Sequence, residues 1–562
     1  MTIDRHTLRW NGWGARERAF EFGDHADAVW TWLRSELGLT TFDMRPAVSL
    51  DALELPTAAL GDDARAALEA IVGPVWVCGD RYERAFHARG QSYPDLLRLR
   101  AGEVETAPDL VVYPRAEQVQ AVLAWADAER VAVIPYGGGS SVVGGVSGEA
   151  GRQRGVVTLD TTRMDRLLAL DETSHTATFE AGIYGPQLEQ SLGARGFTLG
   201  HYPQSFEFST LGGWIAARGA GQQSGRYGGA ATWLVGARLA TPAGEWSTGA
   251  FPASAAGPDF NHLVAGSEGA LGIITQATVR LHRAPNVRDY RGCLFPDFVH
   301  GVAAARELVQ AEVPVATLRL SDPSETDFFS EFSKARKPPS TPRRVAGRAL
   351  EAMGYGGDRC VLIIGHEGER GAVDAAHTRT NAIVRRNRGI PLGRGAGQSW
   401  YRDRFALPYI RDPLLERGVA VDTLETSTSW SNLLPLHQAV GDAIATAASA
   451  TLRDGQRAMM MAHVSHAYLD GASLYFTIVF PQAPAGEELH QWQAIKSAAS
   501  RAIIEHGGTI SHHHGVGTDH RDYLPEEKGP LGVRLLGAIK AELDPRGIMN
   551  PGKLVPTASA KG

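Results

Sequence analysis

Residues 131–145 read VAVIPYGGGSSVVGG. An apolar strand candidate, Val131–Ile134, runs straight into three consecutive glycines. Glycine carries no Cβ and tolerates positive φ, so such a loop can turn its backbone N–H groups toward one point. Ser140 and Ser141 add hydroxyl donors. A diphosphate needs donors gathered in this way. The loop has neither the G-x-G-x-x-G spacing of a dinucleotide turn nor the Gly-Lys-Ser/Thr ending of a nucleotide-triphosphate loop. On its own it is equally a glycine-rich surface turn.

The flanking pattern makes it part of a domain. Asp109–Tyr113 is a buried-strand candidate, Ala116–Arg130 an amphipathic helix, and Val131–Ile134 the next strand, a βαβ unit ending in the loop. Gly155–Asp160 and Ala177–Gly182 follow as strands, and Gly185–Gly196 as a helix stopped by glycine. Leu234–Thr241 and Glu245–Ser247 flank a Pro-Ala-Gly turn. Two more glycine-rich pieces, LGHYPQSFEFSTLGGWIAARG (199–219) and AGSEGALGII (265–274), lie in the same block. The pattern changes after Pro285. This divides the chain into an N-terminal extension (1–106), a first domain (107–287), a second α/β domain (288–480) and a mostly helical C-terminal lobe (481–562). Ala58–Val72 reads as a packing helix and Lys334–Arg348 as a basic, Pro-rich solvated loop.

Together the three glycine-rich pieces resemble the FAD-binding half of the vanillyl-alcohol oxidase/PCMH-type flavoproteins. Further blocks, WNGWG (10–14), ATLRLSD (316–322), YIRD (409–412), LETSTSW (424–430), SLYF (473–476) and SHHHGVG (511–517), resemble the alkyldihydroxyacetone-phosphate synthase family in order. The resemblance implies an α+β fold: a two-subdomain PCMH-type FAD-binding unit, an α/β cap and a C-terminal helical lobe. Under it, Pro135, Tyr136, Gly137, Gly138, Gly139, Ser140 and Ser141 take the diphosphate. Gln204, Ser205, Phe206, Glu207, Phe208, Ser209 and Thr210 run along the flavin with Ala216, Ala217, Arg218 and Gly219. Glu268, Gly269, Ala270, Leu271, Gly272, Ile273 and Ile274 close over the nucleotide. No histidine lies in 135–145, so FAD is expected to be noncovalent.

Composition excludes other classes. Of 562 residues, 43% are hydrophobic and 21% charged, the balance of a globular protein. The net charge of −6 offers no polyanion surface, so no nucleic-acid partner is expected. Cys78, Cys293 and Cys360 are odd in number and far apart, which argues against a disulfide framework and fits a reducing compartment. The polar start predicts no signal peptide, and no apolar run reaches about 18 residues. A cytoplasmic protein is the expectation. Contact with a membrane surface and assembly as a homodimer stay open.

The chemistry-bearing residues are few. His512, His513 and His514 follow one another, and on an extended segment only two of the three can face one pocket. Their imidazoles can move protons near neutrality. His463 and His466 form a second pair, spaced as on a helix face or loop. With the triplet they make either satisfied polar histidines or a metal site; the first is expected, and no metal is assigned. Tyr475 sits in an alternating strand pattern, its hydroxyl to be tuned by nearby imidazoles. Arg319 and Arg411 offer planar forks, each next to an Asp that is the alternative partner. The resemblance makes Tyr475 and the histidine triplet catalytic with Arg319, and gives the substrate phosphate to Arg411. It implies an alkylglycerone-phosphate synthase, exchanging the acyl group of acyl-dihydroxyacetone phosphate for a fatty alcohol through a covalent flavin–substrate intermediate. The alternative is an FAD-linked oxidoreductase such as a D-2-hydroxyacid dehydrogenase, favoured by the ending LDPRGIMNPGK and by Gln204.

Overall fold

The computed structural model describes residues 4–336 and 341–555. The first domain holds two sheets. In the smaller, Leu110–Val112, Val156–Asp160 and Ala132–Tyr136 pair in parallel, and Val77–Cys78 adds an antiparallel edge. Parallel strands need a crossover, and the helix Val119–Glu129 supplies it by burying Val119, Val122, Leu123 and Ala126. The edge strand belongs to residues that sequence patterning assigns to the N-terminal extension. The second sheet is five-stranded and antiparallel, in the order Leu167–Asp171, Thr176–Glu180, Ile273–Arg280, Leu234–Thr241, Gly244–Ser247. Its core gathers Phe179, Leu211, Trp214, Trp233 and Val279.

The cap is built on seven strands in the order Ile390–Gly393, Val287–Phe295, Cys360–Gly368, Thr317–Ser321, Met459–Ala467, Gly471–Pro481, Val419–Ser429. Every ladder is antiparallel, so the cap is not the α/β unit read from its alternating helices and strands. Alternation in sequence does not fix strand direction, and here the strands Met459–Ala467 and Gly471–Pro481 simply form a hairpin.

Alternation within the cap strands sets its two faces. Leu424, Ala462, Val464, Leu474, Phe476 and Ile478 point into the core beneath the helices Phe298–Gln310, Leu433–Thr451 and Glu488–Glu505. The last of these, in the stretch read as the C-terminal lobe, is part of the cap core through Ile495, Ala499 and Ile503. Residues one position along the same strands face the other way, toward the first domain. The stretch read as a solvated loop, 334–348, is instead helical over its described residues: 334–336 end the helix Pro323–Arg336 and 341–348 belong to the helix Thr341–Ala352, with 337–340 outside the described residues. Among the described residues no helix is long and apolar enough to cross a membrane.

Candidate active site

A cavity of about 500 Å³ lies between the first domain and the open face of the cap sheet. Pro135, Tyr136, Gly137, Gly138, Gly139, Ser140 and Ser141 all line it. The N–H groups of Gly138, Gly139 and Ser140 have no protein acceptor among the described residues. That is a cradle of free donors, the chemistry a diphosphate requires. The glycines are dictated by the protein's own backbone. A Cβ on Gly138 would meet the Phe208 carbonyl carbon at 2.7 Å and Ser209 Cα at 2.8 Å, and Gly139 has φ +69°. Ser141 does more than donate: its Oγ accepts from Gly145 N–H (2.9 Å), which closes the loop.

The other predicted contacts divide. Gln204, Ser205, Ser209, Thr210, Ala216, Ala217, Gly219, Glu268, Gly269, Gly272, Ile273 and Ile274 line the cavity. Phe206, Glu207, Phe208, Arg218, Ala270 and Leu271 do not. Phe206 stacks on Phe405 in the core, and Glu207 pairs with Arg18 at 2.7 Å. Phe208 meets Trp13 edge-on, Arg218 donates to the Ala265 carbonyl (3.0 Å), and Ala270 and Leu271 are buried. A contiguous stretch of sequence turns alternate residues away, so a motif overstates its own contacts. Missed from sequence were Trp13, Gln91, Thr161, His201, Gly212, Gly213 and Gln222, which also line the cavity. Only tertiary packing brings Trp13 and Gln91 there from the N-terminal segment.

On the cap face, register places the reactive side chains. Tyr475 is directly opposite Glu425 on one side and His463 on the other. His463 and His466 are three apart on a strand, which would send them to opposite faces. A β-bulge between Val464 and His466 restores both to the cavity. The helix-or-loop reading of that spacing is therefore replaced by a bulged strand.

Residues 511–517 form a tight turn, not the extended segment expected. The N–H groups of His512, His513 and His514 all donate to the carboxylate of Glu425, at 2.5, 3.1 and 2.9 Å. Burial alone would raise the Glu425 carboxyl, but the three imidazoles and these N–H groups hold it well below its ordinary value. Downstream, Val516 N–H (2.5 Å) and Gly517 N–H (2.7 Å) donate to Glu268 of the first domain. One turn is thus pinned by two carboxylates from two domains. Glu425 carried no role in the sequence reading, though it stands inside LETSTSW.

His513 and His514 face the cavity, while His512 packs behind, its Nε2 hydrogen-bonded with the Tyr468 hydroxyl at 2.5 Å. The Tyr475 ring lies 5.5 Å from that of His514 and 6.0 Å from that of His513. Burial raises the Tyr475 phenol to about 12 and depresses His513 to about 3 and His512 to about 4; His514 also falls. The imidazoles therefore do not lower the phenol as expected. Near neutral pH the site pairs a neutral imidazole, an acceptor, with a protonated phenol, a donor.

Neither arginine takes the Asp beside it. Arg319 donates to Glu325 (2.7 Å) and to His463 Nε2 (2.9 Å), while His463 Nδ1 donates to Glu325 (2.9 Å). Burial opposes ionisation of Glu325, yet Arg319 and His463 hold it down at about 2. With both nitrogens engaged, His463 has none for a metal. Ring nitrogens of His466, His512 and His513 do lie within 4.8 Å of one another. His466 Nε2 already donates to the Gly221 carbonyl (2.9 Å). Arg411 is half-buried and lies on the cavity wall, its pKa lowered by desolvation of its guanidinium.

Comparison with known proteins decides the family. Residues 108–249 match the FAD binding domain model, and 284–554 match the model of the FAD linked oxidases' C-terminal domain. The chain is 34% identical to alkyldihydroxyacetonephosphate synthase of Dictyostelium discoideum, over 98% of this chain and 94% of that protein. It belongs to the alkyldihydroxyacetonephosphate synthase family. A solved alkyldihydroxyacetonephosphate synthase structure superposes with a TM-score of 0.84 at 32% identity, covering 98% of this chain and all of that one. p-Cresol methylhydroxylase shares the fold, with a TM-score of 0.67 at 17% identity over 88% of this chain and 96% of that one. FAD is the cofactor, and the open N–H groups of the synthase-family glycine loop fit its diphosphate.

Proposed function

We propose that the chain is an alkylglycerone-phosphate synthase, replacing the acyl group of acyl-dihydroxyacetone phosphate with a fatty alcohol to form the ether bond. One observation carries the reading: a half-buried arginine without an ion pair, an acid–base pair and an apolar wall meet in the flavin cavity. Arg411 binds the phosphate. Phe328, Leu407, Ile410, Leu414, Met461 and Val479 form the apolar wall, suited to a long hydrocarbon. FAD, when bound by the residues above, supplies the covalent, redox-neutral chemistry that splits one hard displacement into two. FAD is held there without a covalent link to the protein.

The protein's own groups manage protons and water. Neutral His514 is the acceptor for the proton on the carbon bearing the ester, and the protonated hydroxyl of Tyr475 is the donor. Glu425 keeps both in place, Tyr475 by strand register and His514 by its backbone. Arg319, locked by Glu325 and His463, holds a fixed positive charge against the same wall.

The test combines FAD-loaded protein, acyl-dihydroxyacetone phosphate and labelled hexadecanol, and looks for a labelled ether lipid. Absence of ether product, together with flavin bleaching by D-lactate in the absence of oxygen, replaces this reading with an oxidoreductase.

A further inference from the structure

Gln91 makes four hydrogen bonds that tie together three parts of the chain. Its backbone N–H donates to the Ser141 carbonyl of the glycine loop, at 2.6 Å. Its Nε2 donates to the Gly12 carbonyl in the WNGWG turn, at 3.1 Å. Its backbone carbonyl accepts from Arg411 Nη1 (2.6 Å) and its Oε1 from Arg411 Nη2 (2.9 Å). Both arms of the Arg411 fork are thus held by one residue, and that residue is neutral.

Asp412, Asp422 and Asp95 lie near enough to act on Arg411 electrostatically, and Asp412 Oδ1 and Asp95 Oδ2 have no hydrogen-bond partner among the described residues, but none of the three forms an ion pair with it. Asp412 accepts from Arg9 and from the Trp13 N–H, both at 3.1 Å. Asp422 accepts from Trp492 (2.8 Å) and Lys496 (3.4 Å), and Asp95 lies 3.6 Å from Arg89. Arg411 Nε is buried with no partner among the described residues. A half-buried cation hydrogen-bonded only to neutral acceptors, with one buried donor unpartnered, is suited to an anionic ligand.

We propose that Gln91 is a positioning residue that aims Arg411 at the substrate phosphate, and that its neutrality sets the charge of the anion site. Glutamate has nearly the same shape, and its carboxylate would keep the bond from Arg411 Nη2, but it cannot donate to the Gly12 carbonyl and it would cancel the guanidinium charge that glutamine leaves for the ligand. Because Gln91 also holds Ser141, the anion site and the flavin loop are kept in fixed relation. The inference rests on the reading of Arg411 as the phosphate ligand.

The experiment uses FAD-loaded wild type, Gln91→Glu and Gln91→Met. It measures binding of dihydroxyacetone phosphate by calorimetry, and KM for the acylated phosphate and for the alcohol separately. The expected order of affinity is wild type, then Met, then Glu. Gln91→Glu should lose about tenfold or more, with KM for the phosphorylated substrate rising and KM for the alcohol holding. A residue with only a scaffolding role would give the opposite order, because Met removes both side-chain hydrogen bonds while Glu keeps the one to Arg411. Gln91→Glu binding as tightly as wild type, or Met binding more weakly than Glu, overturns the inference and leaves the proposed function standing. If the Glu variant fails to hold FAD, Gln91→Met decides: unchanged affinity overturns positioning. Wild type that binds no phosphate ester overturns the assignment of Arg411 itself.

Discussion

Tyr475 keeps its proton because it is buried beside an anion, and this sets what the side chain can do. Burial and the Glu425 carboxylate both favour the neutral phenol. Tyr475→Phe removes one oxygen and leaves the ring between His463 and His513. Turnover should fall by about 10² or more while FAD content and melting temperature hold. Loss measured with His514→Ala should not add to it, because both act on one proton transfer. Near-normal turnover in the Phe variant would remove the tyrosine from the chemistry. At Arg411, lysine keeps the charge and loses the fork that Gln91 grips. KM for the phosphorylated substrate should rise about tenfold or more with a small change in melting temperature. A large thermal loss with normal KM would make Arg411 a structural residue.

The glycine loop and the histidine turn are both elements whose shape comes from backbone contacts. Gly138→Ala puts a methyl group against the Phe208 carbonyl, so it should weaken FAD retention, read as flavin released on dilution. In wild type the flavin should leave the protein completely on acid precipitation; colour kept in the pellet would show a covalent link. The turn 511–517 gathers His512 and His513 next to His466, yet each has a protein partner already. Chelators should leave the activity of the FAD-loaded enzyme unchanged. Activity abolished by chelation and restored by zinc or manganese would make this cluster a working metal centre and favour dehydrogenase chemistry.

Across the whole molecule, the cap is held to its own sheet by buried charge as well as by apolar packing. Glu325, fully buried, is held ionised down to about 2 against an ordinary 4.5, burial being overcome by Arg319 and His463. The folded state therefore binds fewer protons than the unfolded state between those values. The stability this contributes is complete above about 4.5 and is lost as pH falls toward 2. Melting temperature should drop across that window. In Glu325→Gln the drop should be shallower, from a lower value at neutral pH, because the substitution strands Arg319. Equal slopes in the two proteins would show that Glu325 titrates alike in both states.

Local pattern determined much of this protein. The apolar strand and its glycine loop, the alternation of SLYFTIVF and the helix Phe298–Gln310 all depend on periodicity and backbone freedom, which neighbouring residues carry. The triplet His512–His514 was visible as chemistry for the same reason. What pattern does not carry is which distant groups meet. The antiparallel direction of the cap strands and the bulge that turns His466 to the cavity are set by strand pairing, and the arrival of Gln91 beside Arg411 by a contact 320 residues apart in sequence. Glu425 shows the difference most plainly. In sequence it is one acidic residue in a strand. In the fold, three N–H groups from a turn 87 to 89 residues away close on it, and the site's geometry follows.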